Sequence, residues 1–391
     1  MCQVHGSLLQ HYPRYCINLT TQNDDFTVIR AWQAIVTQAI QARASDIHVE
    51  ALEHKTVIRI RVDGELKALQ VPIAVEHERI IARIKILARL DIAEQRIPQD
   101  GRLSVGLNYT RPDIDCRVSI LPTLHGEKAV VRLLPPPSTA LDLGLLGLHA
   151  QQLAHFTDAI TQPDGLILVT GPTGSGKTRT LYSCLNQLNT SGRNVCTIED
   201  PIEIRLSGVN QVAYHPKAGL DFNGIIRALL RQDPDVIMIG EIRDAVTAEL
   251  AMQAAQTGHL VLSTLHTRGA LASIQRLRNL GIASDVLRSC LRCISSQRLA
   301  RQICSVCHAE DSMDDCRLCG GTGLFDRIGI HEVLPFTSAI ANAFENTSTM
   351  ADLSKQIQLS GFQDMRSAGM VHITKRRITL AELNTQLGSW H

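Results

Sequence analysis

Residues 171 to 178 read Gly171-Pro172-Thr173-Gly174-Ser175-Gly176-Lys177-Thr178, a glycine-rich run closed by a cation and a hydroxyl. Glycines let the main chain curl until its N–H groups face one point. Lys177 adds a flexible positive charge that suits β- and γ-phosphate oxygens, and Thr178 offers an oxygen to Mg²⁺. The apolar "GLILV" precedes the run and the helical "TLYSCLNQL" follows it. A loop leaving a strand and opening a helix is the context in which this pattern cradles phosphate rather than merely turning the chain.

Holding a triphosphate is not cleaving it. Cleavage needs a carboxylate that orders water beside the terminal phosphate. Two acidic clusters qualify: Glu199, Asp200 and Glu203 in "TIEDPIE", and Asp235 and Glu241 in "DPDVIMIGEIRD". Asp200 and Glu203 also fit acids at a helix start, and Asp235 a solvated turn. Glu241 directly follows an apolar strand expected to lie beside the phosphate loop, which makes it the expected water-orienting residue. His259 precedes and His266 follows the strand in "TGHLVLSTLHT". An imidazole at a strand's carboxyl end can sense the γ-phosphate; a hydrogen-bonded structural histidine is the competing reading for each.

Cys304, Cys307, Cys316 and Cys319 form two Cys-x-x-Cys pairs. Four soft thiolates close tetrahedrally on Zn²⁺ and leave no position for water, so the expected site is structural. The segment inside and between the pairs, "SVCHAEDSMDD", is acidic and lacks aromatics, which suits neither phosphate nor stacked bases. Cys290 and Cys293 lie in an apolar, helix-like stretch and read as buried, and His308 reads as exposed rather than as a further ligand. Eleven cysteines, an odd number spread along a long chain, read as reduced thiols with a metal site rather than a secreted disulfide framework.

The elements that must position these residues fill a chain of 391 residues, too long for one ordinary core. A formal net charge of +1 gives no electrostatic reason to expect nucleic acid. No apolar run approaches the ~20 residues of a membrane-spanning helix, and the first residues lack a secretory signal pattern; a cytoplasmic protein is expected. Helical spacing from Phe26 to Ala44 is followed by strand alternation in "DIHVEAL" and "KTVIRIRVDGEL", a helix near 76–91, and strands around "GRLSVGL", "DCRVSIL" and "KAVVRLL". This mixed α/β domain, 26–137 after a tail over 1–25, ends in the stiff Pro135-Pro136-Pro137-Ser138. Strand–loop–helix units over 138–302 then imply a parallel sheet covered on both faces, with ligands at the carboxyl ends of its strands. The cysteine element takes 303–330, and a mostly helical segment takes 331–391.

In chain order, "ASDIHVE", "RVDGEL", "RIPQDGR", "DCRVSILPTLHGEKAVVRLL", "GLILVTGPTGSGKT", "TIEDPIE", "LLRQDPDVIMIGEIRD", "TAELAMQAAQTGHLVLSTLHT" and "QRLARQIC" closely resemble the type II secretion and type IV pilus assembly ATPases. The resemblance runs from about residue 26 nearly to the C-terminus. It implies a RecA-like P-loop NTPase core with an N-terminal α/β domain. Gly171 to Thr178 would be the Walker A loop, Glu199 to Glu203 an Asp box, Glu241 the Walker B glutamate, and His259 and His266 a His box. It also implies ATP, Mg²⁺ and Zn²⁺ as cofactors, a homo-hexamer, and peripheral work at inner-membrane platform proteins. In that ring Arg102, Arg117 and Arg132 would meet phosphates at the subunit cleft in the manner of arginine fingers, with surface ion pairs as the alternative. The tetracysteine element favours assembly or secretion over pilus retraction. Two other readings stay open: a motor for DNA uptake or conjugation, and a non-hydrolysing regulator of a sister ATPase. The loop between the cysteine pairs is shorter than is usual, "TRGA" follows His266 where an acidic or amide pair is usual, and the extra N-terminal docking domain of many members is not among the matched segments.

Overall fold

The computed structural model describes residues 22–70, 76–105, 114–134, 141–215, 219, 221–308, 316–346 and 349–388. Most of the expected tail, the Pro135–Ser138 stretch and the interior of the cysteine loop lie outside them. The chain divides into two compact units, Met1–Pro136 and Pro137–His391.

The first unit is a six-stranded sheet ordered β3-β2-β1-β6-β5-β4, built from β1 (Asp46–Leu52), β2 (Lys55–Val62), β3 (Glu65–Ala68), β4 (Gln99–Val105), β5 (Ile114–Thr123) and β6 (Gly126–Leu133). Helices α1 (Gln22–Gln41) and α2 (His77–Ala88) cover one face. Period-two alternation explains the division. Ile47, Val49, Ile58, Ile60, Val118, Ile120, Ala129 and Val131 meet Trp32, Ile35 and Val36 of α1 and Ile80, Ile81 and Ile84 of α2. Under α2, the fully buried Lys85 pairs with Glu127 at 2.7 Å. Asp63-Gly64 makes the expected turn, both residues at positive φ, and β3 follows as a strand of its own.

On the opposite face, antiparallel register aligns Arg102, Arg117, Arg132, Asp46 and Arg61 in one row across β4, β5, β6, β1 and β2. Like charges directly opposed across strands oppose folding. Asp46 relieves the row from within: 6 % exposed, it accepts from Arg132 Nε at 2.9 Å and from Ser45 Oγ at 2.7 Å.

The second unit is a seven-stranded sheet ordered β13-β12-β7-β11-β10-β8-β9. Its strands are β7 (Gly165–Thr170), β8 (Val195–Glu199), β9 (Asn210–Ala213), β10 (Val236–Ile239), β11 (Leu260–Leu265), β12 (Leu291–Ile303) and β13 (Leu324–Pro335). All pairings are parallel except β12 with β13. Alternate residues of the central strands feed two cores. Leu166, Leu168, Ile198, Ile237 and Ile239 join α5 (Phe222–Leu229), α6 (Ala245–Gln256), α7 (Ala270–Asn279) and α8 (Ser284–Cys290). Ile167, Val169, Val195, Met238 and Leu262 join α3 (Ala150–Ile160) and α4 (Lys177–Leu188). Burial on both faces is why these strands read as unbroken apolar runs.

Two local expectations are corrected. The stretch around Cys290 and Cys293 is not one helix: α8 ends at Cys290, and β12 begins at Leu291 beside β7 with a bulge between Leu291 and Cys293. A short apolar run reads alike as buried helix or buried strand, and the open hydrogen-bonding edge of β7 decides it. Both cysteines are buried, as read. β13 extends to Pro335, and the segment that follows is mostly helical, as expected: α9 (Ser338–Asn346), α10 (Met350–Leu359), α11 (Met365–Thr374) and α12 (Leu380–Leu387). Finally, β10 is not adjacent to β7, because β11 lies between them.

Candidate active site

The loop 171–176 leaves the carboxyl end of β7, and α4 starts at Lys177. Gly174 and Gly176 hold φ of 79° and 89°, which side chains with a Cβ resist. Gly171, at φ 145°, has a further constraint: a Cβ there would lie 2.5 Å from the Gln297 carbonyl oxygen and 2.6 Å from Ser175 Oγ. Pro172, Thr173 and Gly174 are exposed, Ser175 is buried, and Thr178 is half-buried in the first turn of α4. Lys177 Nζ donates to the Gly171 and Pro172 carbonyl oxygens at 2.9 and 3.0 Å. Burial lowers the Lys177 ammonium below its ordinary value, and the nearby Glu241 carboxylate opposes that shift. Glu241 therefore acts on Lys177 even though their strands are not neighbours.

Glu241 follows β10, with its side chain 21 % exposed. It accepts from the Arg243 guanidinium and lies 3.1 Å from His266 Nε2. Arg243 also approaches Asp200 at 3.5 Å, which links the two acidic clusters that sequence alone left separate. His266 follows the carboxyl end of β11 and is about half exposed, able to face a ligand from this position.

His259 is not brought to this group. It precedes the amino end of β11, where Nδ1 meets the Ala254 carbonyl at 3.0 Å and Thr257 Oγ1 at 3.1 Å. At ~3.3 Å per strand residue it stands roughly 20 Å from His266. It closes the turn from α6, and the structural reading applies.

Glu199 also turns inward. It is buried, and its carboxylate accepts from Tyr182 Oη, from Thr197 Oγ1 at 2.7 Å and from Gln211 Nε2 at 3.0 Å. Its acceptor sites serve the protein's own donors. Tyr182 Oη in turn accepts from the Glu203 and Ile204 amides at 3.1 and 3.3 Å, so one phenol fastens the whole acidic segment to α4. Glu203 itself is exposed. Asp235 accepts from the Asn194 amide at 2.6 Å, in keeping with a turn residue.

Cys304, Cys307, Cys316 and Cys319 place their sulfurs within 4.8 Å of one another, with Cys304 to Cys316 at 3.8 Å and Cys307 to Cys319 at 3.6 Å. Tetrahedral Zn²⁺ with bonds of ~2.3 Å requires sulfur separations near 3.8 Å; the four thiols fit that ion. Each pair is folded the same way, the His308 amide donating to Cys304 O at 2.9 Å and the Gly320 amide to Cys316 O at 2.8 Å. His308 is exposed.

Of the three arginines, Arg102 and Arg132 are exposed and Arg117 is half-buried. Sequence reasoning missed Tyr182, Arg243 and Gln297. Arg243 was findable two residues beyond Glu241, whereas Tyr182 and Gln297 carry no local signal.

A loop, a lysine and a clamped carboxylate at the carboxyl ends of parallel strands in one sheet agree with the chain's known relatives. A profile of type II/IV secretion system proteins matches residues 21–385. The chain belongs to that family. It is 42 % identical over 384 residues to the type IV pilus assembly ATPase PilB of Myxococcus xanthus, a match covering 92 % of this chain and 68 % of that protein. Identity is also 42 % to the type II secretion system protein HxcR of Pseudomonas aeruginosa, covering 96 % and 80 %. Among solved structures, the pilus retraction motor PilT with bound ADP matches at 29 % identity and a TM-score of 0.68, covering 90 % of this chain and 95 % of that one. Among the described residues no helix is long and apolar enough to cross a membrane.

Proposed function

We propose that this family member is a cytoplasmic ATPase that works as a hexamer at the inner membrane, driving pilus or pseudopilus assembly through platform proteins. The observation that carries the reading is the setting of Glu241: its carboxylate is clamped by Arg243 and His266 while its charge acts on Lys177 of the phosphate loop. A carboxylate so held orients water for in-line attack on a γ-phosphate placed by the loop. Main-chain amides of 171–176 and the start of α4 bind the phosphates, and Lys177 offsets their charge. His266, hydrogen-bonded to Glu241, reports whether the γ-phosphate is present. Thr178 would hold Mg²⁺, which spreads the phosphate charge when bound. The cysteine quartet would hold Zn²⁺ and brace a protruding surface for a protein partner. Arg102, Arg117 and Arg132 act on the phosphates of a neighbouring copy, a role supported by their alignment in one row across β4, β5 and β6.

Glu241→Gln tests the reading. It keeps ATP binding within about threefold of the parent and lowers steady-state phosphate release at least ~100-fold. Full turnover in that variant overturns the role of Glu241. Stimulation of the parent by single-stranded DNA would redirect the function to DNA uptake. Affinity capture from membranes with the same variant tests the platform partner.

A further inference from the structure

Strand β7 and strand β12 run side by side until Thr170 pairs with Ser296. There β7 peels away to become the phosphate loop, and β12 continues alone with β13. Gln297 is the first β12 residue past the parting, 2 % exposed, and both ends of its side-chain amide point at what has just left. Nε2 donates to the Ser175 carbonyl at 2.6 Å, and Oε1 accepts from Thr180 Oγ1 at 2.9 Å, in the first turn of α4. Its main-chain oxygen fills the space where a Cβ on Gly171 would stand, and a Cβ on Gly176 would lie 3.2 Å from its Nε2.

From these contacts we infer that Gln297 is a positioning residue for nucleotide: it sets the curvature of the phosphate loop by holding the Ser175 carbonyl. The inference rests on the proposed ATPase reading. The physical reason is directional. A loop that binds phosphate must turn its N–H groups to the ligand, which sends its carbonyls the other way. A carbonyl turned inward needs a buried donor, and Gln297 supplies one to Ser175 while its oxygen fixes α4 through Thr180. Arg298 supports the same point, donating to the Gln297 carbonyl at 2.9 Å and to the Arg268 carbonyl, just past His266, at 3.1 Å.

The test uses the full chain and equilibrium binding of ADP. Gln297→Met keeps volume and removes both polar ends; Thr180→Val removes one partner. Gln297→Met should bind ADP ~10-fold more weakly and Thr180→Val ~3-fold more weakly, with the double variant no worse than Gln297→Met, since all three losses belong to one bridge. Amide exchange should quicken in 171–176 and not in β10 or β11. Binding within twofold of the parent by Gln297→Met, or exchange raised evenly throughout the sheet, would assign Gln297 a merely structural part. A parent chain that does not bind ADP would instead defeat the ATPase reading itself. Should Gln297→Met not fold, Thr180→Val alone decides: unchanged affinity and unchanged loop exchange overturn the bridge.

Discussion

Histidine burial gives this protein a pH response that can be read residue by residue. His331 of β13 and His372 of α11 are each 1 % exposed, and burial pushes both imidazoles down to about 4. His149, before α3, packs against His372 with ring centroids 4.8 Å apart and the planes tilted by 42°, and is also lowered by burial. Lys375 and Arg377 face the group and disfavour further positive charge. An unfolded histidine takes up its proton near 6.5, so between about 6.5 and 4 the unfolded chain holds more protons and stability falls as pH falls. Glu332, raised by burial, has the opposite preference and offsets part of that loss above its ordinary carboxyl range. Denaturant unfolding of the second unit from pH 7.5 to 5 should show a loss approaching ~1.4 kcal/mol per pH unit for each buried histidine. His372→Phe should make the curve shallower by about one proton; an identical slope in that variant counts against the assignment.

At the scale of elements, the β12–β13 ribbon is the part least legible beforehand and the part that joins most. Its root lies in the main sheet, and Ile303 donates to the Arg377 carbonyl at 2.8 Å. Arg301 pairs with the buried Glu382 of α12 at 2.8 Å. Its tip carries the cysteine knuckle, where Cys304 donates to the Gly323 carbonyl at 2.8 Å. A metal at that tip would close the ribbon, and its binding energy adds to folding. Purified protein should carry one zinc per chain, and a strong chelator should raise thiol reactivity at Cys304 and Cys319 while quickening amide exchange along residues 300–308 and 316–326. Metal-free protein with slow exchange there would remove the bracing role. The helix-like reading of 290–293 failed at this same scale because the hydrogen-bonding edge offered by β7 lies more than a hundred residues earlier in sequence.

For the whole molecule, the arginine row makes a prediction that separates action within a copy from action between copies. Lys177→Ala disables a copy's own loop and leaves its arginines; Arg117→Ala does the reverse. If arginines act on a neighbour, each variant alone should lose ~1,000-fold in turnover, and mixing them should restore measurable phosphate release. Mixtures no more active than the separate variants would place the arginines in structural ion pairing, a role Arg132 already shares through Asp46.

The phosphate loop, the acid after β10 and the cysteine quartet were visible in the chain itself, because each is a short segment whose chemistry follows from side-chain type and spacing. So was the alternation that gives the first sheet one apolar and one charged face. Tertiary structure alone decided which of those residues work together. It joined Glu241 to His266 across 25 positions and set His259 at the far end of the same strand. It also brought Gln297 to Ser175 and Thr180 across 122 and 117. Motifs record what a residue can do, whereas the order of strands in a sheet, settled by burial and backbone pairing between distant segments, determines what it meets.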